Sequence, residues 1–287
     1  MCGIAGLLYP NGITTPGMEV VRRRLGEMAD TLSHRGPDGE GFWQSSDSRV
    51  GLAHKRLAIV DLSLKAAQPM TGGNNKVWVT FNGEIYNHKS LRHQLENMGH
   101  QFRTDHSDTE VLIHGYEAWG IDGLAKRLEG MFALALWDLN SEVMVLLRDR
   151  VGIKPIYFSR FGGIFRFASE IKALLSDTCL PRRLETAAIG HYLSFMVTPA
   201  PLTLFKDIFK LPAAHIMEVR TDGSITTRRY WDAVPGKGSD HGANDSTLAK
   251  GIIERLEAAV EKRMMSDVPF GVFLSGGIDS TANVALM

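Results

Sequence analysis

Two turn-linked pairs of strand-like runs in the middle of the chain most limit the folds open to it. Met131 to Trp137 and Val143 to Arg148 are apolar runs separated by Asp138-Leu139-Asn140-Ser141, a hairpin pattern. Ile156 to Ser159 and Ile164 to Ala168 repeat the arrangement around Gly162-Gly163. Two more strands are expected upstream, Gly51 to Asp61 and Lys76 to Phe81; in the second, Val77, Val79 and Phe81 share one face. Met18, Val21, Leu25, Met28 and Leu32 recur at threes and fours, a helical face that ends before Pro37. Asn87 is placed to cap a helix carrying Leu91, Leu95 and Met98, and Asp108 stands at the start of another through Trp119. Many turn-linked strands with few helical crossovers predict an α+β layered fold, not a doubly wound sheet.

The pattern changes near residue 233. Pro235-Gly236-Lys237-Gly238-Ser239-Asp240-His241-Gly242 has no apolar periodicity, so 233–245 reads as a linker. Leu248, Ile252, Leu256 and Val260 then repeat every four residues, on a helix capped near Asp245 or Ser246. Val268 to Leu274 predicts a buried strand leading into Ser275-Gly276-Gly277-Ile278-Asp279-Ser280. A helix, a buried strand and a glycine turn opening another helix are how a parallel α/β domain starts. The expected division is therefore 2–232 for one domain, 233–245 for the linker and 246–287 for the opening fragment of a second.

Composition narrows the partners. The 32 basic and 32 acidic side chains balance, which gives no cue for nucleic acid or an anionic membrane. No apolar stretch approaches the about 20 residues of a membrane span. The first ten residues lack the basic region of a signal peptide, so a cytoplasmic location is expected. Cys2 and Cys179 are the only cysteines, there is no CxxC, and the ten histidines are scattered, so neither a disulfide nor a metal site is expected.

Cys2 is a candidate nucleophile because of its place. Once Met1 is removed, its α-amine titrates near about 7.7–8.0, against about 8.5 for a free thiol, and can act as the thiol's own base. Position alone fits a small buried residue equally well. Likewise Arg56 taken singly could be a salt-bridging strand residue, Asp108 an N-cap, and Asn82-Gly83 a hairpin turn.

Four motifs taken together reach further. Met1-Cys2-Gly3-Ile4-Ala5-Gly6, His34-Arg35-Gly36-Pro37-Asp38, Arg56-Leu57-Ala58-Ile59-Val60-Asp61 and Asn82-Gly83-Glu84-Ile85-Tyr86-Asn87 resemble, in that order, the class II glutamine amidotransferases. Among these the chain most resembles the glutamine-dependent asparagine synthetase family, from Cys2 to its last residue. The resemblance implies an N-terminal-nucleophile αββα sandwich, two antiparallel sheets between helical layers. It implies Cys2 as nucleophile with its α-amino group as base, and Asn82 with Gly83 as oxyanion hole, where a missing Cβ lets the backbone approach substrate. Glutamine would be bound by Arg56, Leu57, Ala58, Ile59, Val60, Asn82, Gly83, Glu84 and Asp108. Arg56 would clamp the α-carboxylate, and Asp108, assisted by Glu84, the α-ammonium.

The Ser275–Ser280 turn lacks the lysine of a Walker A loop and resembles the pyrophosphate-binding loop of ATP pyrophosphatases. Leu274, Ser275, Gly276, Gly277, Ile278, Asp279 and Ser280 are thus implied as ATP-binding, with ATP and Mg²⁺ as cofactors of an adenylating half and no metal in the glutaminase half. Ammonia released from glutamine would amidate aspartate or another carboxylate acceptor. So little of the synthetase half is present that this chain is expected to perform the glutaminase half alone. The alternatives are an enzyme of the same architecture that aminates a sugar or natural-product carboxylate, and a non-catalytic remnant. Class II enzymes of phosphoribosyl or hexosamine chemistry are disfavoured, because the Ser275–Ser280 motif belongs to neither partner domain. Any oligomer is expected to be a homodimer.

Overall fold

Strand β6 (Gly130–Asp138) shows how the sequence builds the layers. Phe132, Leu134 and Leu136 enter one apolar cluster, while Ala133, Ala135 and Trp137 enter another on the opposite face. Alternation of this kind, apolar on both faces, belongs to a strand covered on both sides. The computed structural model describes residues 1–234 and 244–287. Before β6 come β1 (Gly3–Leu8), α1 (Met18–Asp30), β2 (Gly39–Gln44), β3 (Val50–Arg56), β4 (Met70–Thr71), β5 (Val77–Ile85), α2 (His88–Asn97) and α3 (Glu110–Arg127). After it come β7 (Val143–Arg148), β8 (Tyr157–Ser159), β9 (Phe165–Ala168), α4 (Ile171–Leu174), α5 (Thr186–Phe195), β10 (Phe209–Lys210), β11 (His215–Arg220) and β12 (Ile225–Arg229). Helices α6 (Asp245–Arg263) and α7 (Ile278–Ala285) end the chain.

The strands form two six-stranded sheets, ordered β10-β8-β9-β1-β3-β2 and β12-β11-β7-β6-β5-β4. Their pairings are antiparallel. Between the sheets lie Ile4, Leu8, Leu52, Ala133, Ala135 and Met144. Outside the first, Val21, Leu25 and Met28 of α1 cover Ala5 and Leu7. Outside the second, Leu112 and Ile113 of α3 cover Val79, Phe81 and Leu134. The result is the expected αββα sandwich. Truncating one fully buried leucine of these layers, such as Leu134, is worth about 2–5 kcal/mol.

Register fixes where the site forms. Opposite Ala133 and Ala135 in the β5–β6 ladder stand Asn82 and Thr80, so both face the space between the sheets. Cys2 immediately precedes β1, two residues before Ile4, which faces the same space. Nucleophile and amide therefore meet at one end of the inter-sheet layer.

Several boundaries differ from those predicted. β3 ends at Arg56, not Asp61, because the next backbone groups are taken by side chains. The Cys2 thiol bonds both the N–H and the carbonyl of Leu57, and Asp38 accepts from the Ala58 N–H. β5 continues through Asn82-Gly83 to Ile85, so that pair is ladder, not a hairpin turn. Thr109, not Asp108, holds the N-cap position of α3, which runs to Arg127 across a break at Gly120. Asn244 caps α6, accepting from Thr247 N at 2.9 Å. Val268 to Leu274 finds no partner strand among the described residues, so the expected strand does not form, and Phe273 is fully exposed. The central linker residues 235–243 lie outside the described residues.

Candidate active site

The loop His34–Asp38 organises the pocket, although its residues carry no assigned chemistry in the sequence. Arg35 Nε donates to the Cys2 carbonyl at 3.0 Å, and its Nη1 reaches Glu170 at 2.7 Å. The first strand's N-terminal end is thereby held by an ion pair. A Cβ on Gly36 would lie 2.3 Å from the Lys55 carbonyl carbon, so only glycine lets this loop press on the end of β3. Asp38 N–H donates to the Arg56 carbonyl and its carboxylate accepts from Ala58 N, each at 2.9 Å. One short motif thus places both Cys2 and the Arg56–Ala58 turn.

Cys2, Arg56, Leu57, Ile59, Val60, Asn82, Gly83, Glu84 and Asp108 line a single pocket. Ala58 does not. Lys154, Gln68, Ser107 and Thr109, which the sequence did not single out, line it too. The Arg56 guanidinium donates to the carbonyls of Asp61 and Ser63, which fixes its plane at the pocket rim. The Asn82 amide is buried, and neither its nitrogen nor its oxygen meets a hydrogen-bond partner among the described residues. Such an orphaned group costs about 1–3 kcal/mol unless something fills the pocket and bonds it. Gly83 has a further reason to be glycine. A Cβ there would sit 2.1 Å from the Met131 carbonyl oxygen, so the close approach of β6 requires it.

The electrostatics follow from burial. Burial raises the Cys2 thiol above its ordinary pKa, with the Leu57 hydrogen bond opposing. The terminal amine, here that of Met1, is lowered by burial. Asp108 is pushed up to about 7 by burial; the Ile85 N–H, donating to its carboxylate at 3.0 Å, opposes, and the nearby Glu84 charge adds to the rise. Glu84 is itself raised by burial and Lys154 lowered by it, each partly offset by the other's charge. Lys154 is placed by buried Asp149, which accepts from the backbone N–H groups of Phe132, Val151, Ile153 and Lys154 at 3.2, 3.2, 2.9 and 2.9 Å. A buried cation in a loop leaves no periodic trace in sequence; only the run of alternating charge at Arg148-Asp149-Arg150 before Gly152 hinted at it.

The residues 275–280 lie apart from this pocket. Gly276 turns at φ +78°, Gly277 holds the N-cap position of α7, and Ser275 Oγ meets Ser280 Oγ at 2.9 Å. The predicted glycine turn into a helix is therefore present. Among the described residues no helix is long and apolar enough to cross a membrane.

A thiol on the second residue, beside the first strand of two stacked antiparallel sheets between helices, defines the class of N-terminal-nucleophile folds. Within it the chain belongs to the glutamine amidotransferase domain family, whose profile matches residues 1–231. The asparagine synthase profile matches residues 251–287. Asparagine synthetase (glutamine-hydrolyzing) 1 of Bacillus subtilis is 35% identical over 291 residues, covering 100% of this chain and 44% of its own length. Asparagine synthetase (glutamine-hydrolyzing) 2 of the same organism is 38% identical, covering 98% of this chain and 38% of its own length. The chain thus spans less than half the length of each of these two relatives. The solved glutamine phosphoribosylpyrophosphate amidotransferase of B. subtilis overlays with a TM-score of 0.58 at 17% identity, covering 99% of this chain and 63% of that one, a likeness of fold.

Proposed function

We propose that this chain hydrolyses glutamine to glutamate and ammonia, with Cys2 as nucleophile once Met1 has been removed. One observation carries this. The Cys2 thiol and the partnerless Asn82 amide line a pocket that also holds the Arg56 guanidinium and the Asp108 carboxyl. An amide side chain with a carboxylate and an ammonium at its other end matches those four groups. Among the described residues no histidine lines the pocket, so the α-amine of Cys2 is the base at hand. Burial lowers the amine of Met1, favouring a neutral, proton-accepting terminus, and raises the thiol, so the thiol keeps its proton until attack.

In the proposed cycle the amine takes the Sγ proton and Sγ bonds to the glutamine side-chain carbonyl carbon. The oxygen that becomes negative is held by Asn82 Nδ2–H and Gly83 N–H, one such donor being worth about 10²–10³ in rate. The proton then passes from the ammonium to the departing nitrogen, ammonia leaves, and a thioester remains on Cys2. Water, losing its proton to the same amine, cleaves the thioester to glutamate. Arg56 orients the α-carboxylate and Asp108 the α-ammonium throughout.

The ammonia is proposed to serve an asparagine synthetase of which this chain is part, as the relatives' names and the 251–287 match suggest. ATP with Mg²⁺ would be held by Ser275, Gly276, Gly277, Ile278, Asp279 and Ser280, with Leu274 beside the base; a glycine turn at a helix N-terminus suits phosphate. When bound it supplies activation of an acceptor carboxylate, proposed to be that of aspartate. A reducing, cytoplasmic setting suits a thiol nucleophile.

The test is a glutaminase assay on the purified, N-terminally untagged chain with intact-mass analysis. Loss of Met1 and release of glutamate are expected, with activity falling to background in Cys2→Ala. Glutaminase activity that survives Cys2→Ala would overturn the assignment.

A further inference from the structure

A second cluster is hidden from sequence spacing because its members flank the loop between α2 and α3. His100 lies just beyond α2, and His114 and Glu117 stand one turn apart on α3. His100 Nδ1 and His114 Nδ1 are 3.2 Å apart. Glu117 Oε2 lies 3.5 Å from the second and 3.9 Å from the first. Donors around a tetrahedral zinc, at metal distances of about 2.0–2.2 Å, are spaced by about 3.3 Å. Two of the three separations fit one face of such a tetrahedron, and the His100–Glu117 edge is longer at 3.9 Å.

Hydrogen bonding alone serves this triangle poorly. Between two neutral imidazoles a single Nδ1–H can lie in the gap, and a carboxylate brings no proton. That proton satisfies one edge and leaves lone pairs facing each other along another. A cation at the centre meets all three. The surroundings are arranged as metal ligands require. Asn74 Nδ2 donates to Glu117 Oε1 at 2.9 Å, which orients Oε2 inward. Behind His114, Glu110 Oε1 lies 3.5 Å from Nε2, a buried atom that meets no hydrogen-bond partner among the described residues. A carboxylate behind the outer ring nitrogen fixes the tautomer that leaves Nδ1 free to ligate. Glu110 is itself anchored by the N–H groups of Arg103 and Thr104, each at 2.8 Å. His100 and Glu117 are partly exposed, which gives an ion a way in and a water the fourth position.

We propose that His100, His114 and Glu117 bind a zinc(II) ion with water as fourth ligand. The ion ties the start of the 101–109 loop to α3. That loop carries Asp108, so the metal is a brace for the glutamine pocket and not a participant in its chemistry.

The test uses the untagged full chain with Cys2→Ala, which removes the terminal thiolate as a competing ligand. Bound zinc is counted after gel filtration, and cobalt(II) replaces it as a spectroscopic probe. One zinc per chain and the intense visible bands of four-coordinate cobalt are expected. His100→Ala and Glu117→Gln, both partly exposed and checked for folding by circular dichroism, should each lose the bands. Glu110→Gln should weaken binding about 10- to 100-fold. Substoichiometric zinc, weak octahedral-type cobalt bands, or full binding retained in folded His100→Ala or Glu117→Gln would overturn the site.

Discussion

Asp108 is proposed to hold an ammonium ion as a carboxylate, yet burial and the Glu84 charge raise its pKa to about 7. An unfolded aspartate releases its proton near 3.8. Between those values the folded chain binds the extra proton. This residue's contribution to stability is therefore fully present below the lower value and lost as pH rises through about 7. Asp108→Asn should consequently melt higher than the parent at pH 8, while the KM for glutamine rises about ten- to a hundredfold, the loss of one charge-assisted bond of about 1.5–3 kcal/mol. Inhibition by glutamate should weaken as pH falls below about 7, whereas an analogue lacking the α-amino group should show no such dependence. A glutamate inhibition constant flat from pH 6 to 8 would remove Asp108 from ammonium recognition. At this scale the sequence is most legible where a residue belongs to a short motif, as Cys2, Arg56 and Asn82 do. Lys154 escaped because its place depends on buried Asp149, and Asp149 on the turn it folds around itself.

The elements that shape the proposed oxyanion end are β5 and β6, and they pinch there. A Cβ at Gly83 would stand 2.1 Å from the Met131 oxygen, and one at Gly130 would stand 2.2 Å from the Glu84 oxygen. Glycines on both strands let the backbones close where Asn82 must face the pocket. Gly83→Ala should destabilise the chain by about 1–3 kcal/mol, the usual cost of overfilling a packed site, and should lower kcat through displacement of Asn82. Urea unfolding and steady-state kinetics check the two effects; an unchanged unfolding midpoint would mean that the strands part without strain. The same strands show what period-two patterning reveals and conceals. The β6–β7 hairpin was plain because apolar residues fill both faces up to a polar turn. β5 was cut short because Asn-Gly favours a turn in isolation, and only the ladder with Ala133 and Phe132 overrides that preference. β3 stops short of its expected end, although Leu57 to Val60 stays apolar, because the backbone beyond Arg56 gives its hydrogen bonds to Cys2 and Asp38.

Across the molecule, the segment after α6 reaches back to both loops that frame the proposed glutamine pocket. Asp267 N–H donates to the Ile59 carbonyl at 2.8 Å, and its carboxylate accepts from Asp61 N at 2.7 Å and bonds His106 Nε2. One carboxylate thus joins the turn that follows Arg56 to the loop that carries Asp108. His106 is raised above its ordinary pKa chiefly by that bond, and Asp267 is lowered by the same partner. Both side chains are partly exposed, so the pair is worth little to stability. Its effect falls on the spacing of Arg56 and Asp108, the two charges proposed to grip the substrate's α-carbon end. Asp267→Ala should therefore raise the KM for glutamine by about tenfold, or about 1.4 kcal/mol, with kcat nearly unchanged, because Cys2 and Asn82 do not depend on that link. Unfolding should be almost unaffected. The opposite pattern, a lowered kcat at unchanged KM, would place the influence of this segment on the thiol instead of on substrate binding. Nothing in the sequence forecast the link, since His106 and Asp267 are 161 residues apart and each alone is an ordinary surface charge.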